Sequence, residues 1–258
     1  MRVALCLTGK AGTKSKWGAG EPTMDIARIG FKHFKENLID CNDVDVFLHC
    51  WDKQFREELV DLYSPKGYLF QEQFDFSRIA KLQNMTHFAT MSKAYSNKKG
   101  LQIVRKYEEK HKIKYDAVIL SRFDLALQRR VVLDEENLDL NKIYHNGPDP
   151  LHVEAPENCW GPCCDPQDKI NYCIGDLIFV SNSDNMNKFS NLYDYVQTYN
   201  LNSFHICARM HIERIGAERD TFLECRKSNF KEGKGIQHGE VPLVRWAYDV
   251  GANPTENT

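Results

Sequence analysis

The sequence predicts an α/β fold of the Rossmann-like kind, a mostly parallel central sheet flanked by helices. Three observations predict it. Short apolar runs such as Val3-Ala4-Leu5-Cys6-Leu7 and Ala117-Val118-Ile119-Leu120 read as strands buried on both faces. Between such runs, apolar residues recur at three- and four-residue spacing, the mark of a helix with one buried stripe. The two patterns alternate along the chain, as right-handed strand-helix-strand crossovers require.

The first strand covers Arg2 to Leu7, and a Gly-rich, basic loop from Thr8 to Gly20 follows it. Pro22 sits where a helix can begin, and Ala27, Phe31, Phe34 and Leu38 form its buried stripe. Asp45 to His49 is the second strand. It leads through Cys50-Trp51-Asp52 into a helix carrying Phe55, Leu59 and Leu62, which Ser64-Pro65 stops. Gly67 to Phe70 reads as the third strand. The stretch from Phe74 to Lys99 is irregular and leads into a helix with Leu101, Val104 and Tyr107, before a fourth strand from Asp116 to Leu120. Asn146 to Asn171, rich in Pro, Gly and Cys, reads as a long surface excursion. Gly175 to Val180 is a further strand with Asp176 inside it, after which Ser183 caps a helix showing Met186, Phe189, Tyr193 and Val196 on one face. From Asn202 onward the pattern is helical and then mixed. Without a repeat, a low-complexity tract or a linker, residues 1–258 read as one domain.

A chain of 258 residues is long enough to bury a full core. Charged residues at 27% and hydrophobic ones at 42% exclude collagenous, disordered and membrane classes. The 34 basic residues nearly balance the 36 acidic ones, so nucleic acid is not an expected partner. The apolar run after Arg2 is shorter than the roughly 7–15 residues of a signal sequence. No segment reaches the roughly 18 apolar residues of a membrane helix. A soluble, cytoplasmic protein without a membrane span is therefore expected. Nine cysteines is an odd number, and Cys6, Cys50 and Cys207 fall in core patterns, so buried free thiols are expected there. Cys159, Cys163, Cys164 and Cys173 cluster without paired C-x2-C units, and read either as ordinary loop thiols or as a zinc or disulfide site.

Ligands of parallel sheets bind beyond the carboxyl ends of the strands, so the residues there are the site candidates. Thr8, Gly9 and Lys10, with Gly12, Lys14, Lys16, Gly18 and Gly20 behind them, suit a phosphate, or form a flexible basic loop; neither a P-loop nor a G-x-G-x-x-G pattern is present. Trp51 is either a base-stacking surface or core. Asp52 is either a ribose or base partner or a helix cap. The fourth apolar run breaks into Arg122-Phe123-Asp124, where a carboxylate can hold a divalent cation and a guanidinium can bind phosphate or pair with Asp124 itself. Asp176, in an otherwise apolar run, is expensive to bury unless it is paired or catalytic. His205, His211 and Glu213 lie in a predicted helix, and the two-residue offset of His211 and Glu213 keeps them from forming a ready-made metal pair.

The segments RVALCLTGK, VDVFLHCWD, YDAVILSRFDLAL and GDLIFVSNSDNMNKFSNLY, in that order over about residues 2 to 195, resemble the GT-A-like glycosyltransferases of bacterial, phage and large-virus polysaccharide synthesis. The resemblance implies transfer of a sugar from a nucleotide-sugar donor to a glycan or glycoconjugate acceptor, with a nucleotide-binding half over about 1–125 and an acceptor and catalytic half over about 126–258. In a viral member this takes place in the host cytoplasm. It places Thr8, Gly9 and Lys10 against the nucleotide, Trp51 and Asp52 near base or ribose, and Asp124 where the family's DXD motif binds manganese or magnesium. The first acidic position of that motif is Arg122 here, which implies a weaker ion site or charge neutralisation by Arg122. Asp176 would lie near the acceptor or the anomeric carbon, as general base in an inverting reaction. Two alternatives are a nucleotidyltransferase and a non-catalytic nucleotide- or carbohydrate-binding module on the same fold.

Overall fold

The apolar run at the N-terminus forms the inner part of β1 (Arg2–Gly9) in the computed structural model, which describes residues 1–12, 23–82, 88–146, 174–199, 204–223, 225–228 and 236–239. Side chains alternate along a strand, so Val3, Leu5 and Leu7 enter one core and Ala4 and Cys6 the other. Both faces of β1 are therefore covered, and each fully buried Val or Leu contributes roughly 1.5–3 kcal/mol. β2 (Asp43–Cys50) and β4 (Ala117–Ser121) flank β1 in parallel, and β3 (Gly67–Phe70) pairs in parallel with β2.

Beyond β4 the sheet continues with β6 (Phe179–Ser181), antiparallel to both of its neighbours, then β5 (Ile143–His145) and β7 (Arg219–Thr221). The order is β3-β2-β1-β4-β6-β5-β7, a mostly parallel α/β sheet. β8 (Cys225–Ser228) and β9 (Ile236–Gly239) form a separate antiparallel pair.

Helices α1 (Met24–Phe34) and α2 (Arg56–Tyr63) cover the face of Val3, Leu5 and Leu7. Thr23 caps α1, its hydroxyl accepting the Asp25 N–H at 3.2 Å; Pro22 lies outside the described residues. A π-helical turn, Lys35–Ile39, keeps Leu38 on the buried stripe. α2 stops as expected, because Ser64 adopts a left-handed φ of 43° and donates its N–H to Val60 O at 2.9 Å.

The opposite face carries α3 (Ser77–Leu82), α4 (Phe88–His111), α5 (Ser183–Phe189), α6 (Leu192–Tyr199) and α7 (Phe204–Arg214). α3 and the first three turns of α4 replace the irregular stretch expected up to Lys99. The helical period is hidden there because four of the buried positions, Thr90, Ser92, Ser96 and Asn97, are polar and leave only Met91 and Ala94 as apolar ones. At Gly100 a Cβ would stand 2.6 Å from both Cys6 Sγ and Thr8 Cγ2, so the missing side chain is what lets α4 lie directly on β1.

Two further expectations are corrected. The strand read as Gly175 to Val180 begins only at Phe179, which puts Asp176 in the segment before β6 rather than inside a strand. The following helix is capped by Asn182, whose side chain accepts the Asn185 N–H at 2.9 Å; Ser183 is its first residue, and the single helical face is divided between α5 and α6. Residues 147–171 of the expected excursion lie outside the described residues, as do Cys159, Cys163, Cys164 and Cys173. Cys6 and Cys50 are free, buried thiols; Cys207 is buried too, and burial pushes its thiol up to about 12. Among the described residues no helix is long and apolar enough to cross a membrane.

Candidate functional site

From β1 the chain winds outward through β2 to β3, then returns along α4 to place β4 on the other side of β1. The direction of winding reverses between β1 and β4, and a crevice at such a reversal is where open α/β sheets take their ligands. The last residues paired across it are Leu7 and Ser121. Gly9 ends β1 on one side of this reversal, and Arg122, Phe123 and Asp124 follow β4 on the other.

On the β1 side the three expected phosphate residues divide. Thr8 points inward: it is 5% exposed, and its hydroxyl faces Asn97 Oδ1 at 2.8 Å and Ser121 O at 3.3 Å, tying β1 to α4 and β4. Gly9 has a φ of 109°, a conformation that favours glycine, and among the described residues a Cβ there would meet nothing within 4 Å. Lys10 is exposed. Asp52 accepts the Ala11 N–H at 2.7 Å and makes no side-chain cap to the 3-10 turn Lys53–Phe55; the Trp51 N–H donates to Gly9 O at 3.0 Å. Both residues fix the chain leaving β1. Burial pushes the Asp52 carboxyl up, against the opposing pull of the Ala11 N–H and Lys10.

The Trp51 ring is 5% exposed and stacks on Tyr95 at 5.5 Å, with the edges of Phe74 and Phe76 packed against it. Its environment is that of a core side chain. His49, fully buried, meets Ser96 Oγ through Nδ1 at 2.6 Å, and burial pushes its imidazole down to about 4. It is neutral at physiological pH.

On the β4 side Arg122 grips Asp124 with two parallel bonds, Nε to Oδ1 at 2.7 Å and Nη2 to Oδ2 at 2.8 Å. Because β6 runs antiparallel to β4, the segment before β6 returns to the carboxyl end of β4 and brings Asp176 into the field of Arg122. Asn146 steadies this return by accepting the Leu177 N–H at 2.8 Å. Lys93, from the second turn of α4, donates to the Asp176 carbonyl at 2.6 Å and also to its carboxylate. The ammonium also sits 4.7 Å from the centre of the Phe204 ring. His205 places Nε2 4.0 Å from the same carboxylate and Nδ1 2.8 Å from Ile174 O.

These neighbours set the charges. Burial favours a neutral Asp176, but Lys93, His205 and Arg122 outweigh it and hold the carboxyl well below the usual range. Burial brings Lys93 down to about 8, against the pull of Asp176. For Arg122, Asp124 overcomes the burial cost, so the guanidinium stays charged.

Asp124 as a metal ligand fits poorly with this arrangement. Both of its oxygens are occupied by Arg122, and Asp176 is occupied by Lys93. Among the described residues, no three His, Cys, Asp or Glu side chains come together in a way that could hold an ion. Of the helix residues noted from sequence only His205 reaches the cluster. His211 is buried between Tyr199 Oη at 3.1 Å and Lys188 O at 3.2 Å, and Glu213 is exposed. Sequence reading missed Lys93, Ser96 and Asn97; the available signal was a polar face at helical spacing, Lys93, Asn97 and Gly100, where a buried helix should be apolar. A groove of about 390 Å3 lined by Arg105, Glu108, Lys114 and Asp184 lies between the C-terminal part of α4 and the start of α5, away from these charges.

None of the protein-family models matches this chain, and the comparison with curated proteins finds no match.

Proposed function

We propose that the chain is a nucleotide-sugar-dependent glycosyltransferase of the GT-A kind, working in the crevice between the ends of β1 and β4. The observation that carries this reading is the Arg122-Asp124 pair at the end of β4, across the strand-order reversal from Gly9 at the end of β1. Together with the sequence resemblance, it supports a donor diphosphate lying across the crevice. In the reaction the bond between the anomeric carbon and the diphosphate oxygen breaks and its electron pair leaves with the phosphate. The acceptor hydroxyl oxygen then bonds to that carbon. In an inverting reaction the hydroxyl proton passes to a carboxylate, for which Asp176 is the candidate. Paired with Lys93 it is a weak base, so this role requires Lys93 to be drawn away, as an arriving phosphate would do.

The test is a thermal-shift screen of UDP-, GDP-, CMP- and dTDP-sugars with and without manganese, since a ligand of the folded state raises its stability. A shift for one donor supports the reading, and no shift for any sinks it. The Lys93-Asp176 pairing also favours a second reading, a module that binds the donor without transferring its sugar. Donor binding with neither transfer nor hydrolysis would establish that one.

A further inference from the structure

We propose that Arg122 and Lys93 form a two-cation seat for the diphosphate of a nucleotide, so that this site binds its donor without a divalent ion; the inference rests on the glycosyltransferase reading. The carboxylates of the cluster act as counter-ions that hold the two cations in place.

The Arg122-Asp124 pair is asymmetric. The guanidinium side chain is 24% exposed while its carboxylate partner is 4% exposed, so the cation forms the outer layer. A guanidinium has five N–H donors. Asp124 takes one from Nε and one from Nη2, and among the described residues the remaining Arg122 donors have no protein acceptor. A planar fork with spare donors, partly exposed just beyond the carboxyl end of β4, suits phosphate oxygens. Lys93, 18% exposed, feels both Arg122 and Asp176 and supplies the second positive charge from α4.

A divalent cation fits the same place badly. It would have to take Asp124 from a two-bond grip or Asp176 from Lys93, while remaining close to two fixed positive charges. A diphosphate has to displace neither carboxylate from Arg122. It meets the exposed guanidinium edge and competes with Asp176 only for Lys93. The four charges sum to zero, so it is their arrangement that selects an anion, with the Asp124 carboxylate inside and the guanidinium outside.

The experiment is isothermal titration of the full chain with UDP, GDP and inorganic pyrophosphate, in EDTA and then in manganese. Expected is binding of a nucleoside diphosphate in EDTA, weakened at least tenfold in Arg122→Gln and in Lys93→Met, and largely retained in Lys93→Arg. The double variant Lys93→Met with Asp176→Asn removes both charges of the buried pair, and should bind as weakly as Lys93→Met even where the single variant folds poorly. Binding only in manganese, or EDTA binding undiminished in the variants, overturns the inference and leaves the glycosyltransferase reading standing. Absence of binding by every nucleotide and nucleotide-sugar in both buffers overturns the two together.

Discussion

The ammonium of Lys93 donates both to the main-chain carbonyl and to the carboxylate of Asp176, a residue 83 positions further along the chain. This contact ties α4 to the segment before β6 and sets the charge state of the principal carboxylate of the crevice. With both side chains less than one-fifth exposed, removing one partner leaves a poorly solvated charge behind.

Lys93→Met should therefore cost about 3 kcal/mol of stability, and the double variant with Asp176→Asn should recover much of it. The pair also has a pH signature. The folded Asp176 carboxyl lies below its unfolded value, so its contribution is fully present above the usual carboxylate pKa of about 3.9 and is lost as pH falls below it. Urea midpoints at pH 7 and pH 3 should show the advantage of wild type over Asp176→Asn shrinking at the lower pH. A constant difference would mean that the ion pair is not what stabilises the fold.

Asp124→Asn should keep the fold, because Asn retains the shape and one acceptor for Arg122. The lost charge should lower stability by about 3 kcal/mol, the low end for a buried pair broken on one side, because Arg122 keeps partial access to water. Turnover or hydrolysis of the donor should drop at least tenfold, since Arg122 is no longer fixed in place. Unchanged activity would remove Arg122-Asp124 from the centre of the site.

How far the sequence was legible depended on the length of each signal. β1, β2 and β4, strands of five to eight residues built around apolar runs, were read almost to their ends, whereas β5 and β7 have three residues each, too few for any period to show. Arg122 and Asp124 stood out because a buried run ends abruptly in charge. Lys93 and Asn97 did not, because what makes them site residues is a partner far along the chain, 83 residues away for Asp176 and 89 for Thr8. Asp176 was legible as an anomaly of burial, but its role as a carboxylate held by a lysine depends on β6 running antiparallel, which the sequence does not announce.

Gly100→Ala probes the seat of α4. The added methyl would stand 2.6 Å from Cys6 Sγ and Thr8 Cγ2, both rigidly held, so a loss of about 1–3 kcal/mol is expected. Since α4 carries Lys93 and Asn97, nucleotide affinity should fall as well. Full affinity in a destabilised variant would show that α4 does not position the site.

Trp51→Phe separates a stacking role from a packing role. With its ring against Tyr95, Phe74 and Phe76, the indole should matter to the core, and the smaller ring should cost about 1–2 kcal/mol of stability. Affinity for the nucleotide, measured by titration, should stay within about twofold. A loss comparable to the stacking of a base, about 1–3 kcal/mol, would mean that the ring turns out to meet the ligand.

His49 gives the clearest pH test away from the charge cluster. It is fully buried and its imidazole is pushed down to about 4, against about 6.5 in an unfolded chain. Between those values the unfolded state takes up a proton that the folded state refuses, so stability is highest above pH 6.5 and falls as pH drops toward 4. From pH 7.5 to pH 5 this one residue should account for a loss of about 2 kcal/mol. His145 and His211 shift in the same direction, so the quantity to measure is the difference between wild type and His49→Gln. That difference should change by about 2 kcal/mol over the interval. If it stays flat, His49 is protonated in the fold or reached by water, and its contact with Ser96 Oγ cannot be the means by which the end of β2 is held against α4.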